Sequence, residues 1–270
     1  MRLLIAISAA ALAAVAMPAI AHATPHTTVY VQNGVMIVEA EAGHTNNVTV
    51  GMDTVNRKYT VTDSGDLLAA GAGCTLVGTQ VQCVYKAPAP LNTRFINSIS
   101  VTTGDLNDRV NVLMDANSTD DVPANVSTGD GADVIETRAK GTINGGAGND
   151  LLRPKRGGVA VFGGLGVDRV DYLNGSALNP GSGVSVTIGA GADDGYDTVA
   201  AKDNVHADVE NVTGTNNVDH LVGSAGVNSI SALGGNDFLW GQGGVDTLNG
   251  GDGVDTCLDA VAGETIVSCP

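Results

Sequence analysis

The sequence predicts an all-β fold, most of it a thin parallel solenoid in which two nonapeptide units make each coil. Three observations lead there. Gly214 to Leu258 divides into five consecutive nonapeptides, GTNNVDHLV, GSAGVNSIS, ALGGNDFLW, GQGGVDTLN and GGDGVDTCL. Aromatic residues make up only 3% of the 270-residue chain, and 37 residues are glycine. A conventional core uses more aromatic volume, whereas a solenoid filled by Val, Ile and Leu does not need it. Finally, the region ahead of the repeats shows the short apolar–polar alternation of half-buried strands.

The sixth place of the nonapeptide holds Asp219, Asn228, Asp237, Asp246 and Asp255, and the eighth holds Leu221, Ile230, Leu239, Leu248 and Cys257. Gly226, Gly235, Gly244 and Gly253 hold the fourth. Each unit therefore reads as a short strand with an apolar centre next to a glycine turn. Glycine tolerates positive φ and close backbone approach, so carbonyl oxygens can converge in such a turn. Two units close one coil, and equivalent residues two units apart then stack at the strand spacing of about 4.8 Å. Asp219, Asp237 and Asp255 are expected in one column, and Asn228 and Asp246 in the other.

Stacked carboxylates about 5 Å apart repel by about 3 kcal/mol per pair at an effective dielectric near 20. A cation between coils reverses the sign. Hard oxygen ligands suit calcium, which takes about 6–8 oxygens at about 2.3–2.6 Å. Turn capping explains many single aspartates, but it does not account for five units in register. This G-G-x-G-x-D-x-U-x pattern resembles the RTX (haemolysin-type) calcium-binding repeat. The resemblance implies a right-handed parallel β-roll in two segments, with Ca2+ as the bound ion. Asn228 and the Ala232-Leu233 pair depart from the pattern, so sites using Asn228 are expected to be weaker.

Taken in order, residues 1–23 read as a signal peptide. Arg2 supplies the positive start, Leu3 to Met17 is apolar, and Ala21-His22-Ala23 fits the small-x-small cleavage rule. Cleavage is expected before Thr24, with Ala21/His22 as second choice. Residues 24–97 read as a hairpin cap, with Val29, Val31, Val35, Ile37, Val48, Val50, Tyr59 and Val61 alternating with polar residues. An uncapped solenoid end would expose apolar surface and unpaired backbone.

Residues 98–171 read as a first calcium-binding roll. VSTGDGADVIE begins at Val126, INGGAGNDLLR at Ile143 and VFGGLGVDRVD at Val161, and VTTGDLNDRV from Val101 is an earlier coil with an insertion. Asp108, Asp133, Asp150 and Asp168 are thereby expected in one column. The opposite halves, TRAKGT and PKRGGVA, lack the sixth-place carboxylate. Arg153, Lys155 and Arg156 there are expected to offset nearby acid, in what reads as a solvated basic loop rather than an anion site.

Residues 172–204 interrupt the repeat, with one strand expected at Val184, Val186 and Ile188. ADDGYD, Ala192 to Asp197, reads as a flexible acidic loop without the EF-hand ligand pattern. Residues 205–258 form the second roll, in which Glu210 holds the sixth place of a degenerate unit. Residues 259–270 read as a disulfide cap. Four cysteines in an exported chain imply two disulfides. Three connectivities are open, and proximity favours Cys74–Cys83 and Cys257–Cys269.

The order of these features resembles Sec-secreted calcium-binding proteins of actinobacteria. It departs from type I-secreted RTX toxins and proteases, which lack a cleavable N-terminal signal. The formal net charge of −16, mostly Asp, argues against nucleic acid or anionic membrane as a partner and for cations. No later stretch carries the roughly 18 consecutive apolar residues of a membrane span, so none is expected in the mature chain. HExxH and GxSxG are both absent, and His26, His44, His206 and His220 show no ligand spacing.

The expected function is that of a secreted, non-enzymatic calcium-binding protein with a structural or adhesive extracellular role. Its expected partners are calcium ions and cell-envelope or extracellular polysaccharide. The alternative is a calcium-dependent polysaccharide lyase or epimerase. That chemistry needs a Lys, Arg or Tyr base beside the acids, and Lys155, Arg156 and Tyr172 are its candidates.

Overall fold

The computed structural model describes residues 26–91, 93–115, 120–173, 181–258 and 263–269. The expected signal peptide and its cleavage point lie outside the described residues. Among these residues the fold is all-β, without helix, and so no helix is long and apolar enough to cross a membrane.

The cap holds β1 (Thr27–Gln32), β2 (Val35–Ala40), β3 (Asn47–Asp53), β4 (Lys58–Asp63), β5 (Leu68–Ala70), β6 (Cys74–Val77) and β7 (Gln80–Val84). Strands β1–β2, β3–β4 and β6–β7 are antiparallel pairs. Two cap strands also serve as the first coil. β2 pairs parallel with β8 (Ser98–Thr102), and β3 with β9 (Arg109–Leu113). Their backbone donors and acceptors are thus matched by the solenoid that they cover. The Cys74–Cys83 disulfide clasps β6 to β7.

From β8 onward the chain alternates between two faces. β10 (Ala124–Asp130), β12 (Gly141–Gly148), β14 (Val159–Gly166) and β18 (Asn204–Val205) extend the sheet of β8. β11 (Val134–Thr137), β13 (Leu151–Pro154), β15 (Arg169–Asp171), β19 (Asn211–Thr213), β21 (Ser229–Ser231), β23 (Thr247–Asn249) and β25 (Thr265–Val267) extend that of β9. The register follows the repeat: Val126 pairs with Ile143 and Ile143 with Val161, while Asn211, Ser229, Thr247 and Thr265 follow one another coil by coil. The eighth-place side chains Leu221, Ile230, Leu239 and Leu248 fill the interior. The Cys257–Cys269 disulfide ties the last coils together.

The stretch between β15 and β18 breaks only one face. Its strands β16 (Val184–Thr187) and β17 (Gly195–Tyr196) join β20 (His220–Val222), β22 (Phe238–Trp240) and β24 (Thr256–Leu258) in a separate five-stranded sheet. The sheet of β9 runs through both blocks without interruption.

Two expectations for this region need correction. The ADDGYD stretch is packed rather than loose: Asp194 and Tyr196 are buried. Asp194 accepts the N–H groups of Thr187 and Val205 at 2.7 Å each, and Tyr196 meets Tyr172 edge-on at 5.5 Å. Nor is the basic run a solvated loop. Lys155 is only 2% exposed, with its Nζ donating to Leu173 O at 2.9 Å. Arg153 and Arg156 are held by Asp171 and Asp121.

Candidate metal centre

Each sixth-place residue stands immediately before a strand, at the point where the glycine turn meets the sheet. Its side chain folds back along the solenoid edge to the main chain of the preceding coil. One carboxylate oxygen accepts the N–H of the equivalent residue there. Asn46 donates to Asp108 at 2.7 Å, Asp108 to Asp133 at 2.7 Å, Asp133 to Asp150 at 2.9 Å and Asp150 to Asp168 at 2.8 Å. The Asp168 N–H then goes to Glu210 Oε2 at 2.7 Å, and Asn228 N–H to Asp246 at 2.8 Å. On the other edge, Val184 donates to Asp219, Asp219 to Asp237 and Asp237 to Asp255, at 2.8, 2.8 and 2.9 Å.

The second oxygen separates these residues into two groups. Oδ2 of Asp108, Asp133, Asp150, Asp168, Asp237 and Asp255 is buried and has no hydrogen-bond partner. In three of them it faces the first glycine of its own unit: a Cβ added to Gly145, Gly163 or Gly250 would overlap Oδ2 of Asp150, Asp168 or Asp255. Backbone carbonyls from the next coil reach the same places, Asp208 O beside Gly163 and Ser268 O beside Gly250. The turns themselves stack tightly. Gly148 and Gly166 adopt φ of 138° and 140°, and a Cβ on either would collide with the turn carbonyl one coil earlier.

Asp219 and Asn228 belong to the second group. Thr215 donates to Asp219 through both its N–H and its hydroxyl, at 2.7 and 2.9 Å. The Asn228 amide donates to Glu210 O at 2.7 Å, and its oxygen accepts the Ser224 N–H at 2.7 Å. In these two residues, protein donors and acceptors already engage the side chain.

A buried, unmatched anionic oxygen is costly. Burial pushes the carboxyls of Asp108, Asp133, Asp168 and Asp237 above their ordinary range. Asp150 and Asp219 are pushed up to about 6. For Asp150, the charges of Asp133 and Asp168 add to the effect of burial. The donor set is oxygen alone, carboxylate and carbonyl, and it carries excess negative charge. Those features fit a hard divalent cation such as calcium.

Three acidic residues joined to this architecture lacked a repeat motif to announce them. Glu264 directly precedes β25 and lies one coil length after Asp246; that interval was the available signal. Asp203 directly precedes β18 and accepts the Val159 N–H at 2.9 Å. Burial pushes Asp203 up to about 7 and Asp194 up to about 6.

The model of the RTX calcium-binding nonapeptide repeat matches the chain in four copies, over residues 142–157, 213–248 and 222–257. No curated protein matches the chain. The chain thus carries RTX calcium-binding repeats, and both edges of the second block fall within the matched residues.

Proposed function

We propose that the chain is a secreted, non-enzymatic protein that binds calcium between its coils and completes its folding when calcium is supplied outside the cell. The observation that carries this reading is the buried, unmatched Oδ2 of Asp108, Asp133, Asp150, Asp168, Asp237 and Asp255. A cation shared between neighbouring coils satisfies these oxygens and removes the repulsion between stacked charges. Asp246 belongs to the same ligand set, while Asp219, at the end of its column, and Asn228, between Glu210 and Asp246, are chiefly held by protein groups.

The reading includes a right-handed roll in two segments, 98–171 and 205–258, behind the cap 24–97, with 172–204 inserted and 259–270 closing the end. Residues 1–23 serve as the export signal. A structural or adhesive role accords with repeated coils in which the candidate bases of the alternative are withheld. Tyr172 and Lys155, two candidate bases of the lyase alternative, are buried, and Arg156 is held by Asp121.

Calcium titration of the mature chain, followed by circular dichroism, tests the proposal. A saturable gain of β signal is expected. An unchanged spectrum at millimolar calcium, or turnover of uronate polymers, would overturn it.

A further inference from the structure

We infer that the cap carries a second metal site, unrelated to the aspartate columns and suited to a borderline transition ion of the zinc class. It is formed by His26, His44 and Asp66. These residues come from three separate places: the residue before β1, the β2–β3 loop and the β4–β5 loop. Their wide spacing along the chain gave no ligand motif, yet the fold brings one ligand atom of each within 4.8 Å of the others.

Four details distinguish this cluster from a chance meeting of polar groups. The Asp66 side chain is only 7% exposed, and its Oδ2 is buried without a hydrogen-bond partner. That oxygen lies 3.5 Å from His44 Nδ1. Two ligands of one tetrahedral zinc, each about 2.0–2.1 Å from the ion, are about 3.3–3.4 Å apart. The His26 ring stacks on the His44 ring at 3.9 Å, which holds the two imidazoles side by side, and one ring must turn for both in-plane lone pairs to meet a single ion. Lastly, His26 Nδ1 lies 3.1 Å from Glu41 Oε2.

A carboxylate can only accept, so His26 Nδ1 carries the proton and Nε2 keeps its lone pair. This carboxylate–histidine pairing orients metal-binding imidazoles. Two imidazole nitrogens and one carboxylate oxygen favour zinc or copper over calcium, which prefers oxygen alone. The cluster lines an open hollow with Ser64, Gly65 and Leu67, which gives an ion a way in and leaves room for a water at the fourth position. A bound ion would staple the start of β1 to two loops of the cap.

The test is zinc titration of the mature chain in millimolar calcium, with cobalt(II) as a spectroscopic stand-in. The wild type is expected to take one zinc equivalent, tighter than about 1 µM, with a tetrahedral visible spectrum for cobalt. His44→Ala and His26→Ala should each weaken it by about a hundredfold, and Glu41→Gln by about tenfold. The calcium-induced rise in melting temperature should match the wild type in all three variants, which shows that they fold. No zinc uptake by the wild type would overturn the proposal. So would binding that survives both histidine substitutions, or displacement of zinc by calcium alone.

Discussion

The main-chain N–H of Asp150 donates to Oδ1 of Asp168, one coil later, at 2.8 Å. This bond fixes the side chain of Asp168 and leaves its second oxygen aimed at the turn of Gly163. Backbone pairing therefore positions one half of the Asp168 carboxylate and leaves the other half buried without a protein partner; in the proposed function that half holds a cation. The two roles can be separated by substitution.

Asp237→Asn keeps an oxygen to accept the Asp219 N–H but removes the charge. The calcium-free variant is expected to be at least as stable as the wild type, because a buried charge is gone. In calcium it should be less stable, having lost a ligand. Asp237→Ala also abandons the Asp219 N–H, at a cost of about 1–3 kcal/mol in both conditions. Denaturant melts of the three proteins, each with and without calcium, check this crossover. Parallel losses by Asn and Ala in both conditions would contradict it.

Gly145→Ala places a methyl against Asp150 Oδ2 in a backbone conformation that alanine can share. Calcium affinity should fall on the order of tenfold, about 1.4 kcal/mol, and the calcium-free fold should lose stability too, because the methyl also meets Asp150 Cγ and Cβ. Gly148→Ala differs, because its φ of 138° strains any L-residue. That variant should lose at least about 1–3 kcal/mol whether calcium is present or not.

Asn228→Asp sets a carboxylate oxygen against Glu210 O, where the amide now donates at 2.7 Å. The calcium-free protein should be destabilised, and calcium binding should tighten as charge is restored. Calorimetric titration measures the second effect; unchanged affinity would show that this position stays outside the ligand set.

The column residues were legible in the sequence because a coil of two nonapeptides fixes their register. Asp219, Asp237 and Asp255 are spaced by that interval, and their strands pair accordingly. Glu264 obeys the same interval after Asp246, but VAGE lacks the glycine turn that marks the motif. The insertion was legible only as an interruption. Its contacts, such as Asp194 with Val205 and Tyr196 with Tyr172 O, occur once each and join residues without periodic spacing. Capture of Asp219 by Thr215 was likewise hidden, because the first nonapeptide differs from the others only in its turn. The histidines of the cap meet through loop packing, which leaves no pattern in the chain.

In excess chelator, stability should fall as pH rises. Burial holds Asp150, Asp194 and Asp219 at about 6 and Asp203 at about 7 in the folded chain, against about 3.9 when unfolded. A raised folded pKa stabilises the protonated form. Its contribution is full below about pH 4 and is lost as the pH rises through about 6–7. The calcium-free melting temperature should therefore be higher near pH 5 than near pH 8. With calcium the trend reverses, because calcium needs the ionised carboxylates. A calcium-free profile that rises with pH would contradict the burial argument.

Thermal unfolding of the mature chain in excess chelator and in millimolar calcium tests calcium-coupled folding most directly. Extracellular modules bind calcium at about 10⁻⁴–10⁻³ M. At a Kd near 10⁻⁴ M, each independent site adds about 1.4 kcal/mol in roughly millimolar calcium. Several sites together approach the stability of a whole domain, roughly 5–15 kcal/mol. A large rise in melting temperature with calcium is predicted, absent with magnesium at the same concentration. Equal melting temperatures in chelator and calcium would contradict it and leave the aspartates as hydrogen-bonding caps of stacked turns.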